Sequence, residues 1–236
     1  MLLAAMISHY LRELLAELKF LLLGRFWISS ITTDEKTLST GFHVEVKDII
    51  TQASLIYEWG AGCSTLLADN ANIPIYSVEH HAQYAANLSK LCKHKFSIIN
   101  VRSLGFPTGP FGRPLSFAPI IAYRHNEYCA IRSHPAGNKY DLFIVDGRCR
   151  LHCLLSALIY FRTLYAEQED SYDPVIILDD ANRVEYSIPR SMQSISSLSA
   201  NQRVRILRPA LCEDIDSVII DLTMTINSLP TRKQFL

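Results

Sequence analysis

Ile56-Tyr57-Glu58-Trp59-Gly60-Ala61-Gly62-Cys63-Ser64-Thr65 decides the fold: an apolar run ends in an acid, turns through two spaced glycines and enters the helix-like Leu66-Leu67-Ala68-Asp69. A strand that stops at Glu58 and turns at Gly60 and Gly62 lets the backbone come close to a ligand, because neither glycine presents a Cβ. A pyrophosphate-binding turn of the G-x-G-x-x-G type wants a third small residue at position 65, where the helix must pack tightly. Thr65 stands there instead. A carboxylate just before the first glycine would repel phosphates, whereas it accepts hydrogen bonds from a cationic amino-acid group.

These departures favour S-adenosylmethionine over a nicotinamide dinucleotide. A second apolar strand, Ile73-Pro74-Ile75-Tyr76-Ser77-Val78, ends in Glu79, roughly 20 residues beyond Glu58, where an acid takes both hydroxyls of a ribose. A glycine-spaced turn alone is also compatible with a plain tight turn; the second acid at a neighbouring strand end makes a constellation.

The pattern E-x-G-x-G-x-S-T at 58–65, Val78-Glu79-His80, and Tyr140-Asp141-Leu142-Phe143-Ile144-Val145-Asp146-Gly147-Arg148 together resemble the class I S-adenosylmethionine-dependent methyltransferases, from about Leu55 to Leu222. The later D-D-x-x-R-x-x-Y at Asp179, Asp180, Arg183 and Tyr186 is similar to poorly characterised bacterial members, some associated with surface-polysaccharide or small-molecule tailoring. The resemblance implies an α/β, Rossmann-like methyltransferase fold: a seven-stranded, mostly parallel sheet with an antiparallel last strand and helices on both faces. It implies that Glu58, Gly60, Ala61, Gly62, Ser64, Thr65, Glu79, His80 and Asp146 bind the cofactor, with Glu58 toward its methionine portion and Glu79 on its ribose. His80 or His81 would line the adenine pocket or be a solvated helix-start histidine.

Alternation of short apolar runs near 55–58, 75–78, 96–101, 141–145 and 175–179 with helical stretches such as His81–Lys93 and Arg150–Tyr165 argues independently for a parallel sheet between helices. Val204–Leu207 and Ser217–Leu222 are separated by about ten residues, too few for a crossover helix, and are expected to pair as antiparallel strands. The connection from Arg102 to Pro114, with a helix predicted over Phe117–Arg132, exceeds a minimal α/β connection; it reads as an acceptor-binding lid, a subunit contact or simple surface packing.

In an open α/β sheet, ligands lie outside the carboxyl ends of the strands, where Asp146 and Asp179 fall. Asp146 is the candidate base for an O-methyl transfer, in which the acceptor hydroxyl must be aligned and its proton accepted; Asp179 is the second catalytic candidate. Asp146, Asp179 and Asp180 could together hold a divalent cation of the magnesium type, an arrangement resembling catechol-type O-methyltransferases, or Asp180 caps the following helix. Arg148, Arg183 and Tyr186, with Arg150, suit an anionic or sugar-like acceptor because the guanidinium fork binds carboxylate or phosphate; a structural pair between Arg148 and Asp179 is the alternative.

The 236 residues fit one catalytic domain, 47–236, preceded by an amphipathic helix and connector, 1–46. Lysine plus arginine and aspartate plus glutamate both number 23, so no global charge argues for nucleic acid. Six cysteines without a C-x-x-C pair read as reduced thiols in a cytoplasmic protein; Cys149 and Cys153 lie one helical turn apart, but no matching pair completes a zinc set. Between Met1 and Trp27, Arg12, Glu13, Glu17, Lys19 and Arg25 interrupt the apolar run, against both a spanning helix and a signal peptide. The leucines at 11, 14, 15, 18, 21 and 22 form an apolar stripe that covers the domain, meets a twin subunit or touches a membrane peripherally. The expected function is methylation of oxygen on a small-molecule or carbohydrate acceptor. The rival is a non-catalytic scaffold with the same fold, associated with envelope-polysaccharide assembly.

Overall fold

A computed structural model of the chain describes residues 44–102, 128–131, 139–168, 172–200 and 202–229. The N-terminal amphipathic segment lies outside the described residues, as do 103–127 of the long connection; of the helix predicted over 117–132, only 128–131 are described, opening in a turn.

The elements alternate as the apolar runs predict. Helix α1 (Val44–Gln52) precedes β1 (Ile56–Trp59), α2 (Cys63–Asn70), β2 (Ile75–Glu79), α3 (Ala82–Ser89), β3 (Ser97–Val101), β4 (Leu142–Val145), α4 (Arg150–Gln168), β5 (Val175–Leu178), β6 (Ser196–Leu198), β7 (Arg205–Leu207) and α5 (Ile215–Ser228). One seven-stranded sheet has the order β3-β2-β1-β4-β5-β7-β6. Strands β1 to β5 are mutually parallel, and β7 runs antiparallel to both β5 and β6. Strand order reverses between β1 and β4, and the carboxyl ends at such a point are where open α/β sheets take ligands.

Period-2 alternation sends each strand's side chains to opposite faces. Ile56, Ile75, Leu142, Ile144 and Ile177 pack with Val46 and Ile50 of α1 and Ala68 of α2. Tyr57, Tyr76, Phe143, Val145, Ile176 and Leu178 join Leu154, Ala157 and Leu158 of α4 and Val218, Leu222 and Ile226 of α5. The register aligns like with like: Tyr57 lies beside Tyr76 and Phe143, and its ring stacks on Tyr76 at 5.4 Å between centroids.

Two local expectations are corrected. Ser217–Leu222 is helix, not strand, and β7 pairs instead with Ser196–Leu198. Asp214 caps the helix, its carboxylate accepting from the Ser217 amide at 3.0 Å, and Val218, Leu222 and Ile226 recur every four residues on its buried face. The β-branched run Val218-Ile219-Ile220 mimics a strand locally, but packing on α4 overrides that propensity. At the other end, the connector expected up to residue 46 stops earlier: Val44–Gln52 is helical because Val46 and Ile50, one turn apart, bury completely. Among the described residues, no helix is long and apolar enough to cross a membrane.

Candidate functional site

Glu58 belongs to the strand face that meets α2, the same parity as Ile56, so its carboxylate enters the sheet–helix interface. It is fully buried and accepts hydrogen bonds from Ser64 Oγ, from Thr65 Oγ1 at 2.5 Å and from Ser77 Oγ at 2.6 Å. Burial pushes its carboxyl above the ordinary glutamate range, and the three hydroxyls oppose that shift. Glu58 is therefore turned into the protein, where it staples the first turn of α2 to β1 and β2. The residue types at 64 and 65 follow: both supply hydroxyl donors to one buried acid.

Gly60 has φ +90°, a backbone that side-chain-bearing residues rarely adopt, and a Cβ there would stand 2.5 Å from the Gly147 backbone. The turns after β1 and β4 thus pack back to back. The Gly60 amide donates to Val78 O at 2.8 Å and the Asp146 amide to Trp59 O at 2.9 Å, which fixes the three strand ends relative to one another. Gly62 has an extended backbone; a Cβ there would reach only the Tyr84 phenol oxygen, at 3.6 Å. Its amide donates to Thr65 Oγ1 at 2.8 Å, and Ala61 is buried between the two glycines.

Glu79 ends β2 with 5% exposure, and its Oε1 accepts from the His80 and His81 amides at 2.8 Å each. His80 Nδ1 lies 2.8 Å from the same oxygen, while His81 caps α3 by accepting from the Tyr84 amide at 3.1 Å. His81 is thus a helix cap, and the His80 ring lies 6.2 Å from that of Tyr128. Tyr84, which periodicity assigned only to a helix, stands beside Gly62; burial and then the negative charge of Glu79 push its phenol far up.

Asp146 and Asp179 meet at the ends of adjacent β4 and β5 and hydrogen-bond each other. Burial, then the charge of Asp179, push Asp146 well above the ordinary carboxyl range, with Arg150 opposing. Asp179 goes the other way: burial is outweighed by the bond from Asp146 and the fork of Arg203, which grips both its oxygens at 3.1 Å. One proton shared by the pair accounts for both directions. Arg150, buried beneath them, reaches Asp146 Oδ1 at 3.1 Å, Asp180 Oδ2 at 3.2 Å and the carbonyls of Gly147 and Asp179 at 3.1 and 2.5 Å. Arg183 pairs with Asp180 at 2.7 Å and Arg203 with its other oxygen at 3.3 Å.

Sequence proximity therefore foretold part of this network. Arg203, which follows β6, was missed because only the β6–β7 hairpin brings it to Asp179. Tyr186 is buried under Arg150, whose guanidinium lies 4.8 Å from the ring centroid, and Arg183 lies 6.0 Å from the same ring. The Arg148 amide donates to the Tyr128 phenol oxygen at 3.2 Å. Asp180 takes φ +52° in the turn after β5, where its carboxylate meets three arginines rather than capping a regular α-helix. Among the described residues, no group of three or more histidine, cysteine, aspartate or glutamate side chains is arranged to hold a metal ion.

No protein-family model matches the sequence, and no curated protein matches it. The crystal structure of a methyltransferase-like protein from Silicibacter pomeroyi is similar in fold, with a TM-score of 0.52 at 19% sequence identity over 76% of this chain and 87% of that one. The chain has a methyltransferase-like, Rossmann-type α/β fold.

Proposed function

We propose that the chain is an S-adenosylmethionine-dependent methyltransferase acting on oxygen of a small-molecule or carbohydrate acceptor. One observation carries this reading: the Gly60 turn, Glu79 and Asp146 lie at the carboxyl ends of three neighbouring strands, β1, β2 and β4, at the point where strand order reverses. Glu79 keeps a second carboxylate oxygen beyond the one that takes the His80 and His81 amides, suited to ribose hydroxyls. The paired turns at Gly60 and Gly147 let backbone rather than side chains face the nucleoside. Glu58 shapes the turn from behind, with Ser64 and Thr65 as its supports.

Asp146 is the proposed base. Once ionised, a carboxyl raised by burial and a neighbouring acid is a stronger base than an ordinary carboxylate, and Asp146 is the more exposed partner of its pair. Asp179 then acts through Asp146 by sharing its proton, as a positioning residue. Arg148 and the outer arginine Arg183, about half exposed, border the acceptor side. The acids are already engaged by arginines, which supports methyl transfer through positioning and proton acceptance rather than through a divalent cation.

Calorimetric titration with S-adenosylmethionine and with S-adenosylhomocysteine tests the reading. Saturable binding is expected, weakened at least about tenfold in Glu79→Ala, equivalent to about 1.4 kcal/mol. Circular dichroism establishes that the variant is folded. No binding by folded wild-type protein would leave the fold without this cofactor and favour the scaffold alternative.

A further inference from the structure

Three cysteines that the proposed chemistry does not use converge at the start of α4. Cys129 follows Tyr128 in the described end of the long β3–β4 connection, and Cys149 and Cys153 flank the start of α4. All three are buried, at 7%, 0% and 0% exposure, and no disulfide joins any of the six cysteines. Cys153 Sγ lies 3.6 Å from Cys129 Sγ and 3.3 Å from the Arg148 carbonyl.

Residues 128–131 of that connection are held against the sheet by polar contacts. Trp59 Nε1 donates to Tyr128 O at 2.9 Å, Tyr57 Oη to Ala130 O at 3.0 Å, and the Arg148 amide to the Tyr128 phenol oxygen at 3.2 Å. A Cβ on Gly147 would overlap that phenol oxygen, so Tyr128 packs directly on the turn after β4. The strap 128–131 therefore connects the turn bearing Asp146 to the aromatic face of the sheet without a covalent tie.

We infer that Cys129 and Cys153 form a redox-active pair, which a small disulfide such as glutathione disulfide converts into a covalent tie between the strap and α4. The sulfurs already touch; reaching the ~2.05 Å of a disulfide needs an approach of about 1.5 Å. In the first exchange, the Cys129 thiolate attacks a glutathione sulfur and expels one glutathione thiolate. The Cys153 thiolate then attacks the Cys129 sulfur of the mixed disulfide and expels the second. Two protein thiols lose two protons and two electrons, and one glutathione disulfide becomes two glutathiones. Cys129, the only one of the pair with residual exposure, is the entry point. Burial pushes the Cys153 thiol up, and at Cys129 a lowering bond with Cys149 is outweighed by the bond with Cys153 and by burial, which push that thiol well up too, so the exchange is slow compared with that of an exposed thiol.

The test uses the whole folded protein with glutathione disulfide as oxidant, followed by alkylation, digestion without reduction and peptide mass mapping. A Cys129–Cys153 linked peptide is expected in wild type and in Cys149→Ser, and is absent in Cys153→Ser. Amide hydrogen exchange across 129–131 is expected to slow about tenfold on oxidation and to recover with dithiothreitol. The wild-type map alone is decisive if a serine variant fails to fold. Cys129 and Cys153 left alkylatable while other cysteines carry glutathione, a Cys129–Cys149 bond, a bond that appears only after denaturation, or unchanged exchange across the strap would overturn the inference. None of these readouts depends on cofactor binding.

Discussion

Glu58 shows how one residue can be legible in kind and misread in direction. Its acid before a glycine turn marks the loop, yet alternation along β1 places the carboxylate under α2, against Ser64, Thr65 and Ser77. Removing it in Glu58→Ala leaves three donors around a cavity, and chemical denaturation is expected to show a loss of about 2–4 kcal/mol. The pH dependence has a definite sign. Its folded carboxyl is raised above the ordinary value of about 4.3, so across the interval from that value up to the folded one the folded state holds a proton the unfolded state has released. Wild-type stability should therefore fall relative to Glu58→Gln as pH rises through that interval. Urea midpoints of the two proteins that stay parallel over that range would exclude the assignment.

The last helix carries the lesson of the elements. Strand periodicity would bury Val218, Ile220 and Leu222 together, but α5 buries Val218, Leu222 and Ile226 and leaves Ile220 and Met224 exposed at 58% and 64%. Leu222→Ala is accordingly expected to cost about 2–5 kcal/mol. Ile220→Lys and Met224→Lys should stay within about 0.5 kcal/mol of wild type. Equal damage from Ile220→Lys and Leu222→Ala in denaturant titrations would favour the strand. The same element explains why the sequence alone paired the wrong segments. The short polar Ser196–Leu198 has little strand propensity of its own and becomes β6 through pairing with Arg205–Leu207.

On the scale of the whole molecule, Arg150 joins the turns after β4 and β5 through contacts to Asp146, Gly147, Asp179 and Asp180. It is a buried cation whose loss leaves carboxylates unpaired, so Arg150→Ala is expected to destabilise by about 3–5 kcal/mol, read from denaturant midpoints. Arg150→Lys should recover little, because an ammonium cannot span the carbonyls and carboxylates that the planar fork reaches together. Near-complete rescue by lysine would show that charge alone sustains the network.

The sequence by itself determined the alternation of strands and helices, the glycine turn and the acids at strand ends, because periodicity and residue chemistry are local and survive without neighbours. It identified Asp146, Asp179, Asp180 and Arg183 as companions because they lie close in the chain or recur at strand ends. Only the tertiary structure decided that Arg203 meets Asp179, that Tyr128 covers Gly147 and that Glu58 faces inward. Those contacts join segments separated by many residues, and their geometry is set by sheet order and packing, which no single segment encodes.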